Sequence, residues 1–189
     1  ASAYEIEQSL RFNDNDSPYL SWTPASAGNR KTWTFSAWIK RGNLGVDIDL
    51  LHAYAGSGQR SQLVFATDDT IKFDFDDYTA NRLTTTQVFR DSSAWFNIVL
   101  AVDTTQGTAA NRVKIYVNGN QITDFSAANY PSLNEEGHIN EAIQHEISSY
   151  DGSGSYLDGY LGEVNFIDGL AKAPADFGET GDYGEWKPI

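Results

Sequence analysis

The sequence predicts an all-β protein, an antiparallel two-sheet β-sandwich of the jelly-roll kind, and three observations carry that reading. Short runs alternate apolar and polar residues with period two, as in Val113, Ile115 and Val117 against Arg112, Lys114 and Tyr116. Turn signals recur between those runs, led by Asn118-Gly119, whose two residues suit the positive φ of a type I′ hairpin turn. Helical periodicity is almost absent. A dozen or so short strands follow, in one domain over residues 1–189, with a core at about 9–170 and a C-terminal extension at 171–189.

Taken in order, Ser9 to Phe12 is a short amphipathic strand closed by the turn cluster Asn13 to Pro18, and Tyr19 to Trp22 reads as its return partner. Thr32 to Arg41 alternates over a full strand, with Trp33, Phe35, Ala37 and Ile39 facing a core and Thr34, Ser36, Trp38 and Lys40 facing away. Val46 to Tyr54 is a strand, and Ser61 to Phe65 and Thr70 to Phe75 form a hairpin around Asp68-Asp69, with Lys72, Asp74 and Asp76 toward water. Thr84 to Phe89 is a further strand. Ile98 to Val102 is a continuous apolar run, the pattern of a strand covered on both faces, and it pairs with Val113 to Val117. Ser126 to Gln144 is irregular, with a short helical turn at Ile139 to Gln144. His145 to Ser148 and Tyr156 to Asp168 are strands around a Gly/Ser loop, and the tail from Gly169 is punctuated by Pro and Gly without period.

Formal net charge is −13, and so acidic a surface repels nucleic acid and anionic membrane. No apolar run reaches membrane-spanning length, so no membrane insertion is expected. Cysteine is absent, which excludes disulfides, thiol catalysis and thiolate metal sites. The missing initial Met points to a processed product or a piece of a longer chain.

Several segments, in order from residue 9 to about 170, resemble the laminin-G-like branch of the concanavalin A-like lectin/glucanase superfamily. They are Ser9 to Phe12 with Tyr19-Leu20, Trp33 to Arg41, Trp95 to Val99 with Val113 to Gly119, and Tyr156 to Phe166. The closing run, Phe166 to Gly169 with Phe177 to Glu179 and Trp186 to Pro188, resembles laminin-G-like domains in virion proteins of tailed, notably marine, phages. The resemblance implies an extracellular or virion-surface recognition module that binds a host-surface glycan. A purely structural decoration domain, held to other virion proteins through the tail at Phe177 to Ile189, is the alternative it leaves open.

Glucanases of that superfamily carry a Glu-x-Asp-x-(x)-Glu strand, which sets nucleophile and acid about 5 to 5.5 Å apart. Here Asp47 and Asp49 share a face, but Gly45 stands where a leading Glu is needed and no Glu follows, so both are expected to be ordinary exposed residues and no catalytic residue is assigned. The His138 and His145 cluster with Glu136, Glu141 and Glu146 lacks a zinc spacing, and His145 is expected to hold its tip in water. The resemblance implies calcium at a loop edge, with Asp151 and Asp158, or Asp14 and Asp16, as ligands; Asp14 to Asp16 is equally good turn chemistry. Sugar binding needs flat aromatics and planar polar groups. Trp38, Tyr54, Tyr78 and Tyr116 are the outward aromatics, and Trp38 with Asn97, Arg112 and Tyr116 is the expected set, a packing role for Trp38 remaining open.

Overall fold

The computed structural model describes residues 8–56, 58–76 and 81–189, so Tyr78 lies outside the described residues. Its strands are β1 (Leu10–Phe12), β2 (Leu20–Trp22), β3 (Thr32–Arg41), β4 (Ile48–Gly56), β5 (Gln59–Phe65), β6 (Thr70–Asp74), β7 (Arg82–Val88), β8 (Phe96–Asp103), β9 (Val113–Val117), β10 (Asn120–Gln121), β11 (Phe125–Ala128), β12 (His145–Ile147), β13 (Gly159–Asp168), β14 (Gly178–Thr180) and β15 (Trp186–Pro188). They build a six-stranded sheet, β1-β13-β3-β8-β9-β10, and a seven-stranded sheet, β11-β7-β6-β5-β4-β12-β2. Every pairing is antiparallel. Among the described residues helical structure is confined to three short 3-10 turns.

The alternation seen in the sequence sets the core. Trp33, Phe35 and Ile39 of β3 and Ile98, Leu100 and Val102 of β8 point inward against Leu63, Phe65, Ile71 and Phe73 of the other sheet. Trp33 meets the Phe73 ring edge-on at 6.1 Å, a contact that joins the two sheets. Each of these side chains contributes roughly 1.5–3 kcal/mol by leaving water. Asn118 and Gly119 have φ of 48° and 78°, the positive values that the type I′ turn requires.

The ends of the sandwich depart from the sequence reading. β1 and β2 are not partners: β1 pairs with β13 and β2 with β12, in different sheets, because the 3-10 turn at Asp14–Asp16 and Ser17 at φ 51° carry the chain from one sheet to the other. Ile139 to Gln144 forms turns and bends rather than a helical turn, with Asn140 at φ 68°. The tail is also ordered, as the hairpin of β14 and β15. It crosses the outer face of the six-stranded sheet: Thr34 Oγ1 donates to the Leu170 carbonyl (2.7 Å) and accepts from the Lys172 N–H (2.8 Å). Trp186 Nε1 donates to Asn97 Oδ1 at 3.1 Å, and its ring lies so close over Gly119 that a Cβ there would come within 2.6 Å of it. This cover is why Val99 and Ala101 of β8 are buried on the side away from the core.

At one rim, Arg41 is fully buried and ties the sheets together. Its guanidinium donates to Asp69 Oδ1 (3.0 Å) and the Phe89 carbonyl (2.7 Å) and lies 4.4 Å over the Phe65 ring. Asp69, in the β5–β6 turn, also accepts from Arg90 Nε and the Gly45 N–H, both at 2.9 Å. Burial alone would push its carboxyl up, but these donors outweigh it and hold Asp69 below the usual carboxylate range.

Candidate functional site

The register of the seven-stranded sheet assembles a polar row on its outer face. Glu146 of β12 pairs with His52 of β4, His52 with Gln62 of β5, Gln62 with Asp74 of β6, and Asp74 with Arg82 of β7. A second row runs Asp49, Val64, Lys72 and Thr84 across β4 to β7. Period-two geometry sends all of these away from the core, yet Asp49, His52, Gln62, Asp74 and Glu146 are buried. Part of the cover comes from the Gly/Ser loop, whose Tyr150 ring lies 4.8 Å from the His52 ring and 5.0 Å from the Arg60 guanidinium, with Arg60 Nη1 donating to the Tyr150 hydroxyl at 2.6 Å.

Between that loop and the strands lies a cleft of about 290 Å³, lined by Asp47, Asp49, Arg60, Lys72, Arg82 and Tyr150, with Gln62 and Val64 on its floor. Asp74 is fixed beneath it, bidentate to Arg82 (2.5 and 2.9 Å) and accepting from Gln62 Nε2 at 2.8 Å. Asp49 is 2 % exposed, and its Oδ1 has no hydrogen-bond partner among the described residues. Burial pushes its carboxyl up to about 8, against the opposing pull of a hydrogen bond with Ser155 and the charge of Arg60. His52 is pushed down to about 4 by burial. Its Nδ1 accepts from the Asp151 N–H at 3.4 Å, and its Nε2 is unpartnered among the described residues. The cleft thus presents a buried acid, an amide and three cationic side chains beside an aromatic wall, a set that matches the hydroxyls and ring oxygen of a sugar.

The expected binding set does not gather in one place. Trp38 stands on the outer face of the six-stranded sheet as expected, but the tail covers it to 4 % exposure. There it lines a groove of about 340 Å³ with Glu163, Lys172, Phe177 and Pro188, its Nε1 unpartnered among the described residues. Asn97 is fully buried, its Oδ1 taken by Trp186. Tyr116 borders a different groove, across the tail beside Lys172 and Ala173. Arg112 lies just outside β9 and spends its donors on the carbonyls of Gln106, Gly107 and Pro131, which clamp the preceding loop. Tyr54 is half-buried, its ring 6.3 Å from that of His52.

Asp49, Asp74 and His145 need corrections too. Asp49 and Asp74 are not solvent-facing, because the covering loop and the Arg82 pair take them from water. His145 is buried with both nitrogens engaged: Nε2 accepts from the Asn140 N–H (2.8 Å), Nδ1 meets the Ile143 carbonyl (2.9 Å), and Trp22 stacks on the ring at 5.0 Å. His138 Nδ1 is paired with Glu141 at 2.9 Å. Of the four acids expected around calcium, Asp14, Asp16 and Asp158 stand at one rim and Asp151 stands apart from them. Asp14 accepts from Asn43 at 3.1 Å, and Asp158 packs on the adjacent Gly42. Asp16 accepts from Asn13 at 2.8 Å, while Asp151 stands beside His52 on the other sheet. Among the described residues no three His, Cys, Asp or Glu side chains gather as metal ligands. Arg60, Gln62 and Tyr150 were not among the expected site residues; the available signal was that Arg60, Gln62 and Val64 share the β5 face opposite Leu63 and Phe65.

Comparison with known proteins agrees with this architecture. Domain 4 of an extracellular arabinanase from Geobacillus stearothermophilus, solved with arabinotriose, superposes with a TM-score of 0.57 at 15 % identity, over 76 % of this chain and 64 % of its own, so this chain spans less than two thirds of that domain. A heptameric pentraxin from Limulus polyphemus gives 0.57 at 14 % identity, over 87 % of this chain and 77 % of its own. A carbohydrate-binding module of a Ruminococcus gnavus sialidase, solved with α2,3-sialyllactose, gives 0.50 at 13 % identity, over 83 % of this chain and 93 % of its own. At such identities the likeness is one of fold. No curated protein matches the sequence. Residues 14–174 match the laminin-G family model, and the chain accordingly belongs to the concanavalin A-like lectin/glucanases superfamily.

Proposed function

We propose that the chain is a non-catalytic carbohydrate-binding module that holds a saccharide in the cleft of the seven-stranded sheet. The observation that carries this is the cleft lining, where polar side chains stand beside the Tyr150 ring and Asp49, buried at its edge, keeps an unpartnered Oδ1 among the described residues. A buried polar atom left without a partner costs free energy that a ligand hydroxyl would recover. The structural neighbours solved with arabinotriose and sialyllactose support the ligand class. The resemblance of the closing run to phage virion domains supports a host-surface glycan as the ligand and a virion or cell surface as the setting. The tail spends Trp186 on its own sheet, which favours recognition over docking through the tail.

The test is a glycan and bacterial-polysaccharide array, run with calcium and again with chelator, the metal that the resemblance implies. Reproducible hits that Tyr150→Ala and Gln62→Ala weaken, and that leave the probe unhydrolysed, are the expected result. Loss through Trp38→Ala in a folded protein would move the site to the other sheet. Cleavage of a probe that Asp49→Asn abolishes would make the module a hydrolase. A blank in both conditions would leave the architectural reading.

A further inference from the structure

We infer that the cleft takes an anionic saccharide, one whose ring carries a carboxylate or sulfate, and seats that charged group between Lys72 and the carboxyl of Asp49. The inference rests on the glycan reading above. Its first support is local charge. The chain as a whole carries −13 from 13 basic residues, yet Arg60, Lys72 and Arg82 converge on this one cleft. Asp74 beneath the cleft takes up Arg82, Asp47 stands on the wall, and burial disfavours the charged form of Asp49. Basic side chains gathered in one cleft of an acidic protein favour an anion over a neutral sugar there.

The second support is geometry. Asp49 and Lys72 share one cross-strand row, two strands apart with Val64 between them. At ordinary strand spacing their backbones stand roughly 10 Å apart, room for one sugar ring with a substituent reaching each side chain. Lys72 is half-buried and has no carboxylate within ion-pair distance among the described residues, Asp68 acting on it only at longer range, so its ammonium is available to an anion. Asp49 Oδ1 is unpartnered, and a protonated carboxyl there donates to an anionic oxygen.

The same arrangement makes recognition pH-dependent. Facing Asp49 are Arg60 on β5, Lys72 and Asp74 on β6, Arg82 on β7, Asp47 just before β4, and Tyr150 and Ser155 on the covering loop. Burial keeps Asp49 neutral up to about pH 8; above that it ionises, loses its donor and repels the ligand.

The experiment is calorimetric titration of the whole chain with two matched pairs, trigalacturonate against its methyl ester and a dextran sulfate oligosaccharide against the unsulfated dextran, at pH 6.5 and pH 9. At least one charged member is expected to bind about tenfold or more tightly than its uncharged partner at pH 6.5, the margin of one charge-assisted hydrogen bond. Which pair shows the margin identifies carboxylate or sulfate as the source. Lys72→Gln, a half-buried and conservative change, is expected to erase the margin while leaving the melting temperature in place. Asp49→Asn is expected to keep at pH 9 the affinity that the wild type loses. Equal affinity within both pairs, for a chain that binds glycans on the array, would overturn the anionic class and leave the glycan reading standing. A blank with all four probes and on the array would overturn both.

Discussion

Burial keeps Asp49 and His52 uncharged in the folded protein, and each couples stability to pH in its own direction. Asp49 has a folded value near 8 against an ordinary 3.8, so the unfolded chain ionises first. Its contribution is full below about pH 3.8 and drains away as pH rises to about 8. His52 has a folded value near 4 against an ordinary 6.5, so its contribution is full above 6.5 and is lost as pH falls to about 4. Thermal melts from pH 4 to 9 are therefore expected to show Asp49→Asn removing a loss of stability that accrues as pH rises from about 4 to 8, and His52→Gln removing one that accrues as pH falls from 6.5 to about 4. Variants with the wild-type slopes would mean that other groups control the profile. Neither residue's burial was legible in the sequence. An alternating strand shows which side chains leave the core, but not whether a loop some hundred residues away in the chain, here that of Tyr150, will cover them.

At the level of elements, β3, β8 and β9 were readable because their patterns are long and each residue's face is fixed by its neighbours. The run Ile98 to Val102 even announced its burial on both faces, and the tail supplies the second cover. β11 and the β14–β15 hairpin were not readable: β11 is short and bulged against β7, and the hairpin holds three residues a side between glycines. The partnership of β1 and β2 failed for a related reason, since a turn signal says that the chain reverses and not in which sheet it resumes. Gly119 joins two of these elements, and its φ of 78° and its contact with the Trp186 ring both exclude a side chain. Gly119→Ala is expected to cost about 1 kcal/mol or more through the backbone alone. It should also loosen the tail, seen as a red shift of tryptophan emission before global unfolding. An unchanged spectrum would show that the tail docks without this contact.

For the molecule as a whole, Arg41 and Asp69 form a buried junction between the sheets that no single strand pattern reveals, because its partners come from β3, the β5–β6 turn and Phe89. Asp69→Asn leaves two guanidinium groups without their carboxylate and is expected to cost about 3–5 kcal/mol in urea unfolding. A loss under 1 kcal/mol would show the pair to be dispensable. Removing residues 171–189 would uncover Trp38, Val99 and Ala101, and the shortened chain is expected to self-associate in size-exclusion chromatography. The tail ends on the face opposite the cleft, with Ile189 exposed at 64 %. A copy tethered to a sensor chip or bead through that residue would therefore turn its cleft outward toward analyte, whatever is fused in between.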